Sequence, residues 1–347
     1  MTAAGSSALV IGEALTDILA TPDGRQRAVP GGSPANVALG LARLGRPVCL
    51  ATRIGSDRYG LDLRRRLGQS GVRLTVGSVV DAATSTATAT LGSDGAATYR
   101  FDIDWSLAPE AVDPARTGPI AHLHTGSIAA TLAPGAARVL AAVRAARPGA
   151  TVSYDPNLRP ALLGTADEER PRVEQLVALS DVVKASAEDL DWLYPGCDAA
   201  AVAAAWVQTG PALVVVTLGA AGALAFWRHG SCELAPTPVE VVDTVGAGDA
   251  FMAGLVSGLL GAGLLGAEPL GSEPLGSEPL GSEPLGSEPL GSGFQLPPTA
   301  REALRAATSA DRLAPEVAEA LALAARAAAV TCTRPGADPP TRAELGC

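Results

Sequence analysis

The chain has 347 residues, 47% hydrophobic and 18% charged, which is enough apolar material for a sizeable core and too much for a wholly disordered protein. At roughly 150 residues per domain, that length suggests two domains or one large α/β domain with an appendage. Lys+Arg total 26 against 36 Asp+Glu, a net charge of −10, and aromatics are 3%, so neither general attraction to nucleic acid or anionic membranes nor stacking of single strands is expected.

Ala8–Gly12 is a short apolar run suited to a buried strand. Val37, Leu41 and Leu44 predict a helix over Pro34–Leu44, Val48–Thr52 reads as a strand, and Arg58–Gln69 reads as a helix with Leu61, Leu63 and Leu67 apolar. The period then changes. Residues 74–104 alternate and are rich in Thr, Val and Ala, with Gly-Ser-Asp-Gly at 92–95 as a hairpin turn, so a small antiparallel patch with one wet face is expected. Beyond residue 118 strand candidates (Ile120–His124, Thr151–Asp155, Asp181–Lys184, Leu213–Leu218) alternate with helix candidates (Ala136–Ala146, Pro171–Leu179, Ala187–Leu193, Ala199–Val207). Such alternation implies a mostly parallel sheet covered by helices on both faces, with ligands beyond the carboxyl ends of its strands. His122 and His124 fall within a strand and read as structural, and His229 reads as a turn residue.

Residues 268–292 read EPLGS five times. Pro and Gly at that density block helix and ladder, so this is expected to be a flexible, disordered insertion. It carries −5 of the net −10, and is either an expanded surface loop or a partner-binding arm. The five cysteines are odd in number, widely spaced and lack C-x-x-C, which disfavours a disulfide framework or zinc site and fits a reducing compartment. No positive flank precedes an apolar leader, and no window of about 18 residues is unbroken and apolar, so a soluble cytoplasmic protein without a membrane partner is expected.

The segment richest in chemistry is Asp243-Thr-Val-Gly-Ala-Gly-Asp249, which runs into an apolar, helix-compatible stretch at about Ala247. The N–H groups of Gly246, Ala247 and Gly248 would lack intrahelical partners and, with the helix dipole, form an anion site. Asp249 would stand at its rim, where a carboxylate can take a proton from an attacking hydroxyl. That pairing suits phosphoryl transfer to an alcohol, although an ordinary capped helix start has the same residues. A second Gly-rich segment, Pro30-Gly31-Gly32-Ser33-Pro34-Ala35-Asn36, also opens a helix and suits a hydroxylated ligand. Gly261-x-Gly263-x-x-Gly266 follows a helix rather than a strand, so it is rejected as a dinucleotide site; no P-loop motif is present.

On those two segments, continued through Gly45 and Gly55 and through Gly254, the chain resembles the ribokinase-like (PfkB) carbohydrate kinases. The resemblance implies a ribokinase-like α/β domain spanning residues 1–347, with a small β lid drawn from 13–30 and 74–104, and ATP- and magnesium-dependent phosphorylation of a sugar hydroxyl. It implies that Asp249 is the catalytic base and that Gly246, Ala247 and Gly248 hold the γ-phosphate. Asp17, Gly31, Gly32 and Asn36 would hold the sugar, and Tyr99, Arg100 and Phe101 would cover it from the lid. Thr217-Leu-Gly219-Ala-Ala-Gly222 looks like the nucleotide loop. Asp243 and the Val245 carbonyl match positions that in some members bind a monovalent cation such as potassium. The family often has Asn-x-x-Glu supporting the magnesium waters; this chain has Ser186-Ala-Glu-Asp189, which weakens the transfer of nucleotide and magnesium roles to Ser186 and Asp189. Asp155-Pro-Asn157-Leu-Arg159 looks like the Asp-x-Asn-x-Arg motif of fructokinases and 2-keto-3-deoxygluconate kinases, placing Asn157 with the nucleotide and Arg159 with a polar substrate atom or phosphate. The resemblance favours the fructokinase side, makes a homodimer through the lid plausible, and leaves a 2-keto-3-deoxygluconate kinase and a catalytically silent sugar sensor as alternatives.

Overall fold

The computed structural model describes residues 7–20, 26–91, 97–266 and 299–346, so the EPLGS repeat and the 92–95 turn lie outside the described residues. In chain order the strands are β1 (Ser7–Ile11), β2 (Leu15–Ala20), β3 (Gln26–Gly31), β4 (Val48–Ala51), β5 (Arg73–Leu74), β6 (Thr86–Leu91), β7 (Ala97–Asp102), β8 (Ile120–Gly126), β9 (Thr151–Asp155), β10 (Val182–Ser186), β11 (Leu213–Thr217), β12 (Ala223–Trp227) and β13 (Gly230–Leu234). The helices are α1 (Ser33–Arg43), α2 (Arg58–Gln69), α3 (Pro114–Thr117), α4 (Ile128–Thr131), α5 (Gly135–Ala146), α6 (Ala166–Leu179), α7 (Ala187–Leu193), α8 (Ala199–Val207), α9 (Ala247–Gly261), α10 (Ala300–Ala307) and α11 (Pro315–Cys332).

Nine strands form the large sheet in the order β13-β12-β11-β10-β9-β8-β1-β4-β5. It is parallel from β11 to β5, and only the β11–β12 and β12–β13 pairs are antiparallel. Its parallel strands are short apolar runs such as Leu213–Thr217, because helices cover both faces. On one face α1, α9 and α11 pack through Leu39, Leu41, Phe251, Leu255 and Val317. On the other, α5 to α8 pack through Val139, Val173, Leu190 and Trp206. A separate four-stranded sheet, β3-β2-β6-β7, joins two stretches far apart in sequence. The β6–β7 pair is an antiparallel hairpin, whereas β2 and β6 are parallel.

Some element bounds differ from those read in the sequence. The helix expected from Pro171 begins at Ala166, because Thr165 and Glu168 form a capping box and Asp167, Glu168 and Glu169 favour the helix N-terminus. The antiparallel patch expected over 74–104 starts later, since Arg73–Leu74 pairs with β4 and belongs to the large sheet. Strand β10 runs on to Ser186, which both ends the strand and caps α7. Among the described residues four cysteines are free, and no helix is long and apolar enough to cross a membrane.

His122 and His124 are buried in β8, as expected of structural histidines, and their tautomers follow from their partners. The Thr151 hydroxyl donates to the Leu265 carbonyl at 2.9 Å, so it accepts from His122 Nδ1 at 2.9 Å. His122 Nε2 then accepts from Ser153 at 2.7 Å, and Ser153 Oγ accepts from His124 Nδ1 at 2.9 Å. Both rings are neutral Nδ1–H tautomers, and burial holds both at about 3.

Candidate active site

The order of the large sheet reverses at β1, which has β4 on one side and β8 on the other. In open α/β sheets the crevice beyond the carboxyl ends of the strands at such a point is where ligands bind. The residues that follow β1 and β8 here are Gly12-Glu13 and Ser127-Ile128.

Both Gly-rich segments open helices at this crevice. Gly32 caps α1 with φ 101°, and a Cβ there would stand 2.5 Å from the Glu13 carbonyl oxygen. Gly246 caps α9 with φ 77°, and a Cβ there would stand 2.5 Å from that of Ala337. Only glycine meets both the dihedral and the close approach at either position. The two helix starts meet at Asp249. It is buried at 7% exposure in the first turn of α9, and Oδ1 accepts from Ser33 Oγ at 2.7 Å while Oδ2 accepts from Asn36 Nδ2 at 2.8 Å. The Ala247 N–H donates to the Thr244 carbonyl, so of the three expected anion donors only Gly246 and Gly248 stay outside the loop's backbone hydrogen bonds.

Lys184, the chain's one lysine, lies behind that turn. Its Nζ is 3.0 Å from Asp155 Oδ2 and 3.0 Å from where a Cβ on Gly248 would stand, so the missing side chain leaves room for the ammonium. Burial works against its charge, but Asp155, Asp189 and Asp249 outweigh burial and hold Lys184 above the ordinary lysine range.

A cavity of about 580 Å³ opens in front of Asp249. Gly31, Gly32, Asn36, Glu13, Ser127 and Arg159 line it from the large domain, and Asp17, Val29 and Phe101 line it from the small sheet. Asp17 faces the open cavity yet lies deep in the cleft, and this enclosure, with Asp249 nearby and Arg159 opposing, raises its carboxyl to about 6. A Cβ on Gly31 would fall 2.2 Å from Asp17 Oδ2. Arg159 Nη1 donates to Asn157 Oδ1 at 2.7 Å, and Asn157 takes up φ 38°. The Tyr99 side chain lies outside the described residues, and Arg100 is exposed on β7.

The residues expected to meet a nucleotide gather at the neighbouring strand ends. Ser186 and Thr217 pair across β10 and β11, and the 217–222 turn is closed by Leu218 N–H donating to the Gly222 carbonyl at 2.8 Å. Gly219 and Gly222 both have positive φ there. The carboxylate of Asp189 is engaged: Oδ1 accepts from Leu158 N–H at 2.7 Å, and Oδ2 accepts from the Ser186 N–H and hydroxyl at 3.0 and 2.7 Å. Asp243 accepts from Val245 N–H at 3.0 Å and Gly336 N–H at 2.7 Å, and these bonds lower its carboxyl. Val239, Val241, Val242 and Val245 are exposed along the same loop, an apolar surface beside the helix start. Glu13, Ser33, Ser127 and Lys184 belong to this region as well. Sequence reasoning gave them no role, although Ser33 lies inside the first Gly-rich segment.

A cavity with a buried carboxylate at a helix N-terminus suits group transfer, and comparison with known proteins gives the class. Residues 6–268 match the family described as pfkB family carbohydrate kinase. A fructokinase of Klebsiella pneumoniae is 38% identical over 258 residues, covering 72% of this chain and 83% of its own length. Among solved structures, the Xylella fastidiosa fructokinase with bound ATP is similar at TM-score 0.74 and 26% identity, covering 98% of this chain and 96% of that one. A Vibrio cholerae fructokinase double mutant, in fructose, ADP and potassium ion bound form, is similar at TM-score 0.70 and 26% identity, covering 98% and 97% of the two chains. The chain belongs to the pfkB family of carbohydrate kinases and is an ATP-dependent sugar kinase.

Proposed function

We propose that the protein is a fructokinase, transferring the γ-phosphoryl group of ATP to O6 of fructose. The observation that carries this reading is Asp249, buried in the first turn of α9 and fixed by Ser33 and Asn36 beside a cavity with polar groups converging on it. Asp249 takes the hydroxyl proton. The N–H groups of Gly246 and Gly248, aligned with the helix dipole and backed by the Lys184 charge, stabilise the transferring phosphoryl oxygens. Asp17, Gly31, Gly32 and Asn36 meet the sugar hydroxyls, and the small sheet closes over them as a lid that excludes water. Asn157, Ser186 and the 217–222 turn receive the nucleotide, whose base finds apolar surface on the exposed valines of the 239–245 loop.

Among the described residues no cluster of three His, Cys, Asp or Glu side chains could hold a metal, and Asp189 is engaged with backbone and Ser186. On this reading magnesium enters with ATP as part of the substrate. The oxygen donors of Asp243 and the Val245 carbonyl suit a monovalent cation, and they would hold potassium against the anion turn. Arg159 alone would favour a sugar acid such as 2-keto-3-deoxygluconate, but Glu13 and Asp17 already face its charge, which favours a neutral sugar.

The test is ADP release with ATP and magnesium across fructose, 2-keto-3-deoxygluconate, ribose, adenosine and no sugar. Fructose is expected to give the strongest signal. Preference for another sugar overturns the substrate assignment, and binding of sugars without turnover favours a sensor.

A further inference from the structure

We propose that Glu13 is a positioning residue for the sugar: its carboxylate holds the Ser127 turn as one wall of the cavity and, with Arg159, fixes the polar end against which the sugar docks. The inference rests on the sugar-kinase reading of this cavity and adds a determinant of sugar affinity.

Topology puts the pair in place. Glu13 follows β1 by two residues and Ser127 follows β8 directly, so they face each other where the strand order reverses. Both are buried, at 5% and 3% exposure, and both line the cavity. Glu13 Oε2 accepts from the Ala129 N–H at 3.3 Å, and the Ser127 hydroxyl lies close enough to the same carboxylate to favour its charged form. One group thus bonds one end of a three-residue turn and faces the other.

That turn needs tying. Ser127 has φ 56° and ψ −153°, a region that glycine enters freely and a serine enters only when its surroundings force it. Its N–H donates to the Asp155 carbonyl at 3.0 Å, and the adjoining Gly126 stands so close to Asp155 that a Cβ there would lie 2.1 Å from the same oxygen. Backbone on one side and Glu13 on the other hold the strained residue at the cavity surface. Strained residues cluster at ligand clamps, where preorganisation matters more than local stability.

The groups facing Glu13 set its behaviour with pH. From the β9–α6 loop comes the Arg159 guanidinium, and from the β8–α4 turn the Ser127 hydroxyl and Ala129 N–H. On β2, Asp17 faces the same guanidinium. Burial outweighs those favourable partners and pushes the Glu13 carboxyl up to about 7. The ionised form accepts from the Ala129 N–H, faces the Ser127 hydroxyl and feels the Arg159 charge at longer range. Protonation removes that charge and loosens the wall, without touching Asp249 or the nucleotide turn.

The experiment measures KM for fructose and for ATP, kcat and thermal midpoint from about pH 5.5 to 8.5 in wild type, Glu13→Gln and Ser127→Gly. Glu13→Gln keeps the shape and loses the charge. It is expected to raise KM for fructose about tenfold, leaving kcat and KM for ATP within about twofold. In wild type, KM for fructose is expected to rise as pH falls through about 7, from Glu13, and again through about 6, from Asp17. The glutamine variant is expected to keep only the lower step. Ser127→Gly relieves the backbone strain, so it is expected to fold at least as well as wild type while binding fructose more weakly. Wild-type KM for fructose with both pH steps intact in Glu13→Gln overturns the inference. So does a parallel loss of thermal midpoint, kcat and ATP affinity, which marks a merely structural carboxylate. A wild type that turns over no sugar overturns the proposed function itself, and this inference with it.

Discussion

Replacing Asp249 with asparagine separates its chemical role from its structural one. The carboxylate accepts two hydrogen bonds, from Ser33 Oγ at 2.7 Å and from Asn36 Nδ2 at 2.8 Å. An amide satisfies both if its oxygen faces Asn36 and its NH₂ faces Ser33, because a hydroxyl both donates and accepts. No buried polar atom is orphaned, and the volume is unchanged. Stability is therefore expected to stay within about 1 kcal/mol of wild type. Turnover is a different matter, since an amide cannot take the hydroxyl proton. Loss of a positioned general base costs about 10²- to 10⁴-fold, or roughly 2.7–5.4 kcal/mol in the barrier. The assay is steady-state ADP release with fructose, alongside ATP affinity by calorimetry and a thermal unfolding curve. Folded, ATP-binding Asp249→Asn protein with turnover within about fivefold of wild type would refute the reasoning, because Asp249 would then be only a fastener between α1 and α9.

Gly31→Ala places a methyl group 2.2 Å from Asp17 Oδ2, a side-chain tip that can swing away. KM for fructose is expected to rise about tenfold with thermal midpoint and KM for ATP unchanged; an unchanged fructose KM removes Asp17 from the sugar site. The buried imidazoles of His122 and His124 are held at about 3, against 6.5 in the unfolded chain, so between those values the unfolded chain binds protons that the folded one does not. Their stabilisation is complete above about pH 6.5 and is lost as pH falls towards 3, by up to about 1.4 kcal/mol per pH unit for each ring. Nitrogen NMR at about pH 5 should show both as neutral Nδ1–H tautomers, and an imidazolium or Nε2–H signal for either would contradict the assigned chain of hydrogen bonds. Replacing potassium with choline is expected to lower turnover if Asp243 and the Val245 carbonyl hold a cation, and unchanged rates would remove that role.

Much of this molecule is legible in its sequence, because the parallel strands are short apolar runs and the helices between them carry amphipathic spacing. The two glycine-rich helix starts identify the crevice for the same reason that they build it: positive φ and close backbone approach demand glycine at Gly32 and Gly246. Other features leave no local trace. Helix α9 is buried on nearly every side, so it has little apolar periodicity beyond its start. Pairing β2 with β6 is a long-range event that alternation alone does not encode. Glu13 is a single carboxylate in a short link between strands, and its importance comes from Ser127, more than a hundred residues away, taking up a dihedral that no composition reveals. Lys184 sits inside a strand pattern, where only its being charged amid Val182, Val183 and Ala185 marked it as unusual. Asp189 matched a family position, yet its short side chain turns back to cap its own helix.

The most direct test of the central claim is the identity of the product. Wild-type protein incubated with ATP, magnesium and fructose should yield fructose 6-phosphate as the main phosphorus NMR signal beside ADP. Fructose 1-phosphate, or ADP without any sugar phosphate, would contradict the account, because the cavity would then present to Asp249 either the wrong hydroxyl or water.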